Sequence, residues 1–231
     1  MGPPLLYRSA MIDTNATLAD LAVHHPIATR VFLRHRLDFC CGGDRPLSVA
    51  CEEKAIDPNE VAKEIQAEGE RLGGDLQLWA ERPLAELVDH IITRYHVPLR
   101  RDLPNLVALA RKVENRHADK QTCPRGLGDL LGGVEAEVGS HLDKEEQILF
   151  PMIKAGRGPD AGMPIRVMEL EHDQHGQNLR RIRELTQDLV LPPEACRSWT
   201  ALYEGLARLE AELMEHIHLE NNILFPRALA E

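Results

Sequence analysis

A histidine and a glutamate four residues apart occur twice in the second half of the chain. His141 with Glu145 forms one pair, and His216 with Glu220 forms the other. On a helix, residues at this spacing lie on one face, so an imidazole nitrogen and a carboxylate oxygen of one pair can reach a common point. Nitrogen and oxygen donors without a thiolate are typical ligands of iron or manganese, and zinc also accepts them. The two pairs therefore predict a metal site.

Both pairs belong to an internal repeat. The run from His141 to Pro151, His-Leu-Asp-Lys-Glu-Glu-Gln-Ile-Leu-Phe-Pro, aligns with the run from His216 to Pro226, His-Ile-His-Leu-Glu-Asn-Asn-Ile-Leu-Phe-Pro. Shared apolar residues could reflect shared packing alone, but duplicated histidine and glutamate are harder to explain in that way. The repeat predicts two helical hairpins related by a pseudo-twofold axis, each supplying the same kind of ligands.

Four helical patterns follow residue 83 and could carry these ligands. Apolar residues recur at steps of three and four over residues 84–99, 127–152, 165–182 and 199–223. Glycine and proline clusters separate the four segments. No sustained alternation of β-branched residues is present, so the sequence predicts an all-α fold. The layout is typical of an antiparallel four-helix bundle.

Six polar residues interrupt the apolar stripes at a similar depth in the four helices. They are His96, His141, Glu145, His172, His216 and Glu220. A buried imidazole or carboxylate without partners costs several kcal/mol. Two metal ions would satisfy all six, with each carboxylate bridging the ions and two imidazoles completing each one. The alternative for each pair is a histidine–glutamate hydrogen bond within the helix, and for His96 alone it is an ordinary hydrogen-bonded core histidine.

Three further residues lie close to the predicted ligands. His175 is on the same stripe as His172, and whether it touches the metal stays open. Glu137 and Glu171 lie one turn or one residue from ligand positions. They are candidates to accept hydrogen bonds from ligand imidazoles or to relay protons, with a solvated carboxylate as the alternative.

Four other residues near the apolar stripes are predicted to have structural roles. Pro98 removes a helix hydrogen bond and is expected to kink the helix just after His96. His90, His117 and His218 fall off the stripes, which predicts that they lie at the surface or cap helix ends.

The first part of the chain predicts a separate small helical domain. Gly73-Gly74 and Pro83 suggest a boundary near residues 73–82, which gives residues 1–75 and 76–231 as the two domains. A capped start at Thr17 and the segments 27–36 and 59–72 predict three short helices before that boundary.

Cys40 and Cys41 stand in a glycine-rich segment, Phe39-Cys40-Cys41-Gly42-Gly43, between the predicted helices. Adjacent cysteines form a disulfide only with local strain, which favours a thiol role. They could dock on a partner, hold a transient metal or cluster, or accept oxidising equivalents; two small buried thiols are the alternative. The glycines are expected to keep the segment exposed and flexible. Cys51, Cys123 and Cys196 receive no role.

Composition argues against several classes of protein. The 231 residues include 27 lysines and arginines against 37 aspartates and glutamates, a formal net charge of −10, which does not favour nucleic-acid binding. No apolar run reaches the ~18–20 residues of a membrane span. Residues 1–12 lack the pattern of an export signal. Five cysteines, an odd number, fit a reducing compartment, and we expect a cytoplasmic protein that is a monomer or a homodimer.

Taken together, these motifs resemble the iron–sulfur cluster repair di-iron proteins, the RIC family of the hemerythrin-like bundles. The carrying motifs are the Cys-Cys-Gly-Gly segment, Arg94-Tyr95-His96, His117-Ala118-Asp119-Lys120, Glu171-His172-Asp173 and the two His-x-x-x-Glu repeats. The resemblance implies a non-haem di-iron centre bridged by two glutamates and an oxo group. The ligands it implies are His96, His141, Glu145, His172, His216 and Glu220. In that family a small residue is usual at the position of His175.

The resemblance also implies a function. It predicts restoration of iron–sulfur clusters damaged by nitric oxide or peroxide, by donation of iron to damaged or cluster-free proteins. Two other functions stay open from the residues. One is binding of nitric oxide or dioxygen, and the other is reduction of nitric oxide at two irons, so the sequence leaves undecided whether the protein is an enzyme.

Overall fold

The structure, a computed structural model, describes residues 12–72 and 78–231. These residues divide into two compact units. The first extends to Pro83 and includes Ile217–Pro226, and the second comprises Leu84–His216 with Arg227–Glu231. The predicted boundary near residues 73–82 falls partly outside the described residues, and the division into 1–75 and 76–231 stays a prediction.

Residues 12–72 of the first unit contain four helices: α1 (Leu18–His24), α2 (Ala28–His35), α3 (Leu47–Glu52) and α4 (Pro58–Leu72). Thr17 starts α1 because its hydroxyl accepts a hydrogen bond from the Asp20 amide at 3.0 Å. α2 ends at Arg36, which adopts a left-handed conformation with φ of 56°. The sequence did not predict α3, whose six residues are too few for a clear apolar period.

Seven further α-helices follow in residues 78–231, and all but the residues Ile217–Pro226 at the junction of α10 and α11 belong to the second unit. They are α5 (Leu84–Ile91), α6 (Val97–Arg116), α7 (Leu127–Lys144), α8 (Phe150–Lys154), α9 (Gly162–Leu185), α10 (Arg197–Leu219) and α11 (Phe225–Ala230). In the described residues no strand occurs, and Thr17 and Pro46 form an isolated backbone bridge. The predicted all-α class is confirmed.

Contacts along the four main helices close them into a bundle. α6 packs against α7, and α7 packs against α9. The Nε atom of Arg183, near the end of α9, donates to Glu210 of α10 at 2.8 Å. Arg94, just before α6, donates to Glu212 of α10 at 3.1 Å. The four-helix bundle predicted from the apolar periods is confirmed, and aliphatic side chains such as Leu131 and Leu206 fill its interior.

In residues 12–72 and 78–231, three wide turns with π-helical hydrogen bonding interrupt the helices. They are Ile92–His96, Glu145–Leu149 and Glu220–Leu224. A proline follows each of them by two residues, at Pro98, Pro151 and Pro226. Proline has no amide hydrogen and its ring displaces the carbonyl four residues earlier, which here lies inside the wide turn. The wide turns thus absorb the disturbance that the prolines impose, and each turn has a predicted ligand at one end.

Pro98 was predicted to kink the helix just after His96. It lies in the first turn of α6, where an amide hydrogen is not needed by the new helix. The irregularity is instead the wide turn that ends at His96.

No helix among the described residues has the length and apolarity that crossing a membrane requires.

The close approach of Gly158 to the last helix provides a test of the packing. A Cβ atom at Gly158 would lie 2.0 Å from the carbonyl oxygen of Ala228. We expect Gly158→Ala to lower the free energy of unfolding by about 2 kcal/mol, since the backbone must move to accept the methyl group. Thermal unfolding followed by circular dichroism should then show a melting temperature lower by roughly 4–8 °C.

The matched control is Gly133→Ala in α7, where a Cβ atom meets nothing within 4 Å. There the better helix propensity of alanine should raise stability by up to about 1 kcal/mol. Equal effects of the two substitutions would contradict the packing described for Gly158.

Candidate metal centre

The six predicted ligands lie buried at one level of the helices. They are His96, His141, Glu145, His172, His216 and Glu220, and none is more than 1% exposed. The two glutamates begin wide turns, and His96 ends one. His172 is in the middle of α9, which is regular through this level.

The histidines meet in two pairs, tip to tip. The Nε2 atoms of His96 and His216 are 3.1 Å apart, and those of His141 and His172 are 3.2 Å apart. Two lone pairs that face each other at this separation repel unless a cation or proton lies between them. The geometry of each pair is therefore suited to holding a positive ion.

Glu145 joins the two pairs. Its Oε2 atom is 3.4 Å from Nε2 of His96 and 3.4 Å from Nε2 of His141. It is also 4.0 Å from Nε2 of His216. One carboxylate thus reaches both histidine pairs, which is the placement that a bridging ligand needs.

Glu220 completes the same arrangement from the far end of α10. Its carboxylate belongs to two groups of ligand atoms, each within 4.8 Å of one another: His96, Glu145, His216 and Glu220; and His141, Glu145, His172 and Glu220. Each group combines two imidazoles with the same two carboxylates. Four nitrogen and oxygen donors fit a metal ion, and shared carboxylates fit two adjacent ions.

Two outer carboxylates orient the imidazoles. Nδ1 of His96 is 2.9 Å from Oε1 of Glu146, and Nδ1 of His141 is 3.0 Å from Oε2 of Glu171. A carboxylate only accepts hydrogen bonds, so in each case Nδ1 carries the proton and donates it. The Nε2 lone pair then points to the interior, and the ligand becomes more basic.

Basic side chains hold the outer carboxylates in turn. Arg100 donates to Glu146 at 3.1 Å and to Asp143 at 2.8 Å. Lys144 donates to Glu171. Both outer carboxylates are about one-third exposed, at 32% for Glu146 and 29% for Glu171. They therefore connect the buried imidazoles to solvent.

The three residues predicted to lie near the candidate ligands have different surroundings in the structure. Glu171 contacts a ligand histidine, as described, whereas Glu137 is exposed and accepts a hydrogen bond from Asn178 at 2.7 Å. His175 is 2% exposed, and its ring centre is 5.0 Å from that of His141. Neither group of ligand atoms includes it. The sequence did not single out Glu146, and the repeat gave no signal for it, because Asn221 rather than a second glutamate stands at the matching position.

Tyr95 fixes the orientation of His216. The two rings stack with centres 5.8 Å apart and planes 13° apart. The Tyr95 hydroxyl donates to Glu215 at 3.4 Å, and burial raises the pKa of the phenol, so it remains a neutral donor.

Comparison with known proteins places this arrangement in a family. Residues 87–228 match the hemerythrin HHE cation-binding domain, and residues 14–68 match a domain of unknown function, DUF542. A probable iron-sulfur cluster repair protein of Haemophilus influenzae is 49% identical over 218 residues, covering 93% of this chain and 96% of that protein. The iron-sulfur cluster repair protein YtfE of Yersinia pseudotuberculosis is 47% identical over 215 residues, covering 93% and 97%.

The chain belongs to the hemerythrin-like family of iron–sulfur cluster repair proteins. The resemblance inferred from the motifs is confirmed. Membership of the cation-binding family agrees with the His and Glu groups described above.

The Cys-Cys-Gly-Gly segment of this repair-family chain forms a tight loop. Cys40 is buried and Cys41 is half-buried, with their Sγ atoms 3.7 Å apart. Asp38 Oδ1 accepts hydrogen bonds from the amides of Cys41 at 3.1 Å and Gly42 at 3.2 Å. The ligand atoms of Asp38, Cys40 and Cys41 lie within 4.8 Å of one another, so this loop could also hold a metal ion.

The loop is less exposed than the sequence predicted. Gly43 is buried, and a Cβ atom there would lie 2.6 Å from the carbonyl oxygen of Phe39. The glycine serves a close backbone approach rather than mobility. The hydrogen bond with the Cys41 thiol, together with burial, raises the pKa of Cys40 well above its usual range.

The segment that carries Glu220 bonds to this loop within the same compact unit. The side-chain amide of Asn221 donates to the Cys40 carbonyl at 3.1 Å, and that of Asn222 donates to the Phe39 carbonyl at 3.0 Å. His218 packs edge-on against Phe39 with ring centres 5.6 Å apart. The prediction of His218 as a surface or capping residue is wrong: it is 3% exposed, and burial lowers its pKa to about 4.

Removal of the outer carboxylates tests their role. We expect Glu146→Ala and Glu171→Ala each to weaken metal binding by about 10–100-fold, because the ligand imidazole loses its acceptor. Metal retained after dialysis against a graded chelator series, measured by elemental analysis, gives the affinity.

Glu137→Ala is the matched control, since this carboxylate contacts Asn178 and no ligand among the contacts described. Equal metal retention by all three variants would refute the assignment of Glu146 and Glu171 as orienting groups.

Proposed function

We propose that this protein binds two iron ions between His96, His141, Glu145, His172, His216 and Glu220 and donates iron to damaged iron–sulfur clusters. The observation that carries the proposal is the pair of ligand groups that share Glu145 and Glu220. The names of the relatives, iron-sulfur cluster repair proteins, supply the class of client. In this proposal the partners are cluster-containing or cluster-free proteins, and residues 76–231 form the iron-binding domain.

The types of the proposed ligand residues favour iron that can be released. The ligand set has four imidazoles and two carboxylates, and it lacks a thiolate, which would hold a soft metal more firmly. An iron pair in such a site supplies one-electron redox chemistry. Neutral imidazoles compete with protons for the metal, so binding weakens where the surroundings supply protons.

The outer carboxylates provide a route for that competition. Glu146 and Glu171 are partly exposed and accept from the Nδ1 atoms of His96 and His141. A proton taken up by either carboxylate weakens it as an acceptor and lowers the basicity of the imidazole behind it. Release of iron as cargo would then begin with the loss of its bonds to His96 and His141.

A transfer experiment tests the donor function. The iron-loaded protein is reduced without oxygen, mixed with a cluster-free ferredoxin-type acceptor and sulfide, and separated from it. We expect about one of the two irons to move to the acceptor, because loss of one ion leaves two imidazoles and both carboxylates to hold the other. Iron in each fraction is measured by elemental analysis.

Protein loaded with zinc is one control, and Glu145→Ala and Glu220→Ala, which we expect to lack stoichiometric iron, are two others. Retention of both irons by the wild-type protein after reduction, with the acceptor still empty, would end the donor proposal while leaving iron binding intact.

We further propose that the loop of Asp38, Cys40 and Cys41 receives the iron on its way out. Its three ligand atoms converge, and Asn221, the residue after Glu220, bonds to the Cys40 carbonyl. Because metal displaces the proton of a thiol, a thiol with a raised pKa binds an ion weakly and transiently.

The loop proposal predicts a separation of binding from transfer. Cys41→Ala should leave the iron content unchanged and slow transfer to the acceptor by about tenfold, the order expected when a metal contact is lost. Transfer rates follow from the absorbance of the rebuilt cluster.

Cys51→Ala is the control, because Cys51 is also free but fully buried. If Cys41→Ala transfers iron as fast as the wild type, the loop has no part in the route.

A further inference from the structure

A cysteine and a histidine meet at one end of the bundle. Cys196 immediately precedes α10, and His117 immediately follows α6. The Sγ atom of Cys196 is 3.3 Å from the Nε2 atom of His117. Both side chains are partly exposed to solvent. A thiol paired with an imidazole is the arrangement of an activated nucleophile.

The imidazole is held in place by a buried ring. His117 packs against Trp199 with ring centres 4.9 Å apart, and Trp199 is fully buried. Trp199 in turn meets Tyr203 edge-on at 6.2 Å. Because its packing partner cannot move freely, the ring of His117 keeps its nitrogen directed at the thiol.

The surroundings of Cys196 stabilise a thiolate. The hydrogen bond with His117 and the backbone amides of Trp199 and Ser198 lower the pKa of this thiol to about 7. Those amides belong to the first turn of α10, where the helix dipole also favours negative charge. The charged groups that face His117 are Asp119 and Glu194, and each of them interacts with Lys120.

The other thiols with a perturbed pKa are changed in the opposite direction. Burial raises the pKa of Cys51 and of Cys123, and burial with the neighbouring Cys41 thiol raises that of Cys40. The environment of Cys196 is therefore distinct from that of Cys123, which lies between α6 and α7.

We propose that Cys196 is a peroxide-reactive nucleophile and that His117 is its proton carrier. His117 takes the thiol proton as the sulfur attacks one oxygen of a hydroperoxide. An S–O bond forms, the O–O bond breaks, and the leaving oxygen receives the proton from His117 as water or an alcohol. The sulfur is oxidised by two electrons to a sulfenic acid, and the peroxide is reduced by two electrons.

The imidazole favours a peroxide over a disulfide as the electrophile. A thiolate leaves a disulfide readily without a proton, whereas hydroxide is a poor leaving group that must be protonated as it departs. A proton carrier 3.3 Å from the sulfur assists the second reaction and adds little to the first. This activity is independent of the metal-binding function proposed above.

The test compares two reactions of Cys196 in the purified, metal-loaded protein. Site-resolved mass spectrometry follows alkylation by iodoacetamide from pH 5 to pH 9 and, separately, dimedone-trapped sulfenic acid after one equivalent of hydrogen peroxide. We expect Cys196 to be alkylated with a midpoint about pH 7. Reactivity should rise as pH passes through that value, because the thiolate is the reacting form. Dimedone should label Cys196 and leave Cys123 unlabelled.

His117→Gln separates the two roles of the histidine. The alkylation midpoint should move up toward the ordinary value of about 8.5. The alkylation rate at pH 7 should fall about threefold, because a smaller thiolate fraction is partly offset by greater nucleophilicity. Sulfenic acid formation should fall at least about tenfold, since proton delivery to the leaving oxygen is also lost.

Three results would overturn the proposal. They are an alkylation midpoint for Cys196 equal to that of an unstructured cysteine, equal labelling of Cys196 and Cys123, and equal loss of alkylation and peroxide reactivity in His117→Gln. The last result would show that His117 tunes the thiol without carrying a proton. Labelling of the zinc-loaded protein excludes peroxide consumption at iron as the cause of a low yield.

Discussion

The structure depends on the burial of two carboxylates and four imidazoles in an otherwise aliphatic interior. Glu145 and Glu220 are fully buried, and each ionised carboxylate costs several kcal/mol to remove from water. The lone pairs of the facing imidazoles repel each other, which adds to this free-energy cost. Positive charge at this level converts both costs into attraction, which is why the arrangement suits metal ions and why metal binding and bundle stability must be linked.

That electrostatic requirement also accounts for the irregular backbone. The wide turns that begin at Glu145 and Glu220 each contain one residue more than a regular α-helical turn. The extra residue lies at the level of the candidate ligands. The prolines that follow make the wide turn the preferred local conformation, since an ordinary turn would clash with the proline ring. The Leu-Phe-Pro end of each repeat therefore has a positional function: it sets the backbone from which the glutamates project.

The residues that converge in the two groups of candidate ligand atoms could be selected from the sequence because their positions follow from helix periodicity. His141 and Glu145 lie on one face of the helix wherever that helix begins and ends. The repeat identifies His216 and Glu220 independently. Glu146 was out of reach by that reasoning, since a neighbour of a buried residue normally points elsewhere on a helix. Its carboxylate meets His96 from a different helix, across a separation of 50 residues. The pairing of Cys196 with His117 depends similarly on where two helices end, which residue spacing does not encode.

The burial of His218 and Gly43 has a similar explanation. Both lie in the compact unit that brings Ile217–Pro226 together with the first part of the chain, and no apolar period predicts such an association. His218 falls off the stripe of its own helix because that side of the helix contacts Phe39 instead. A sequence pattern identifies the faces of a helix that are apolar, but a polar residue on another face can be buried by a partner distant in the chain.

Cys40 and Cys196 have environments that shift the pKa of their thiols in opposite directions. In the Cys40 loop, the adjacent Cys41 thiol and burial raise the pKa of the Cys40 thiol and so oppose its ionisation. At Cys196, an imidazole and helix amides lower the pKa of the thiol and so favour its ionisation. The two proposals therefore assign different thiols to different chemistry. The proposed iron route uses the loop in which ionisation is opposed, and the proposed reaction with peroxide uses a thiol at a helix end, outside both groups of candidate ligand atoms.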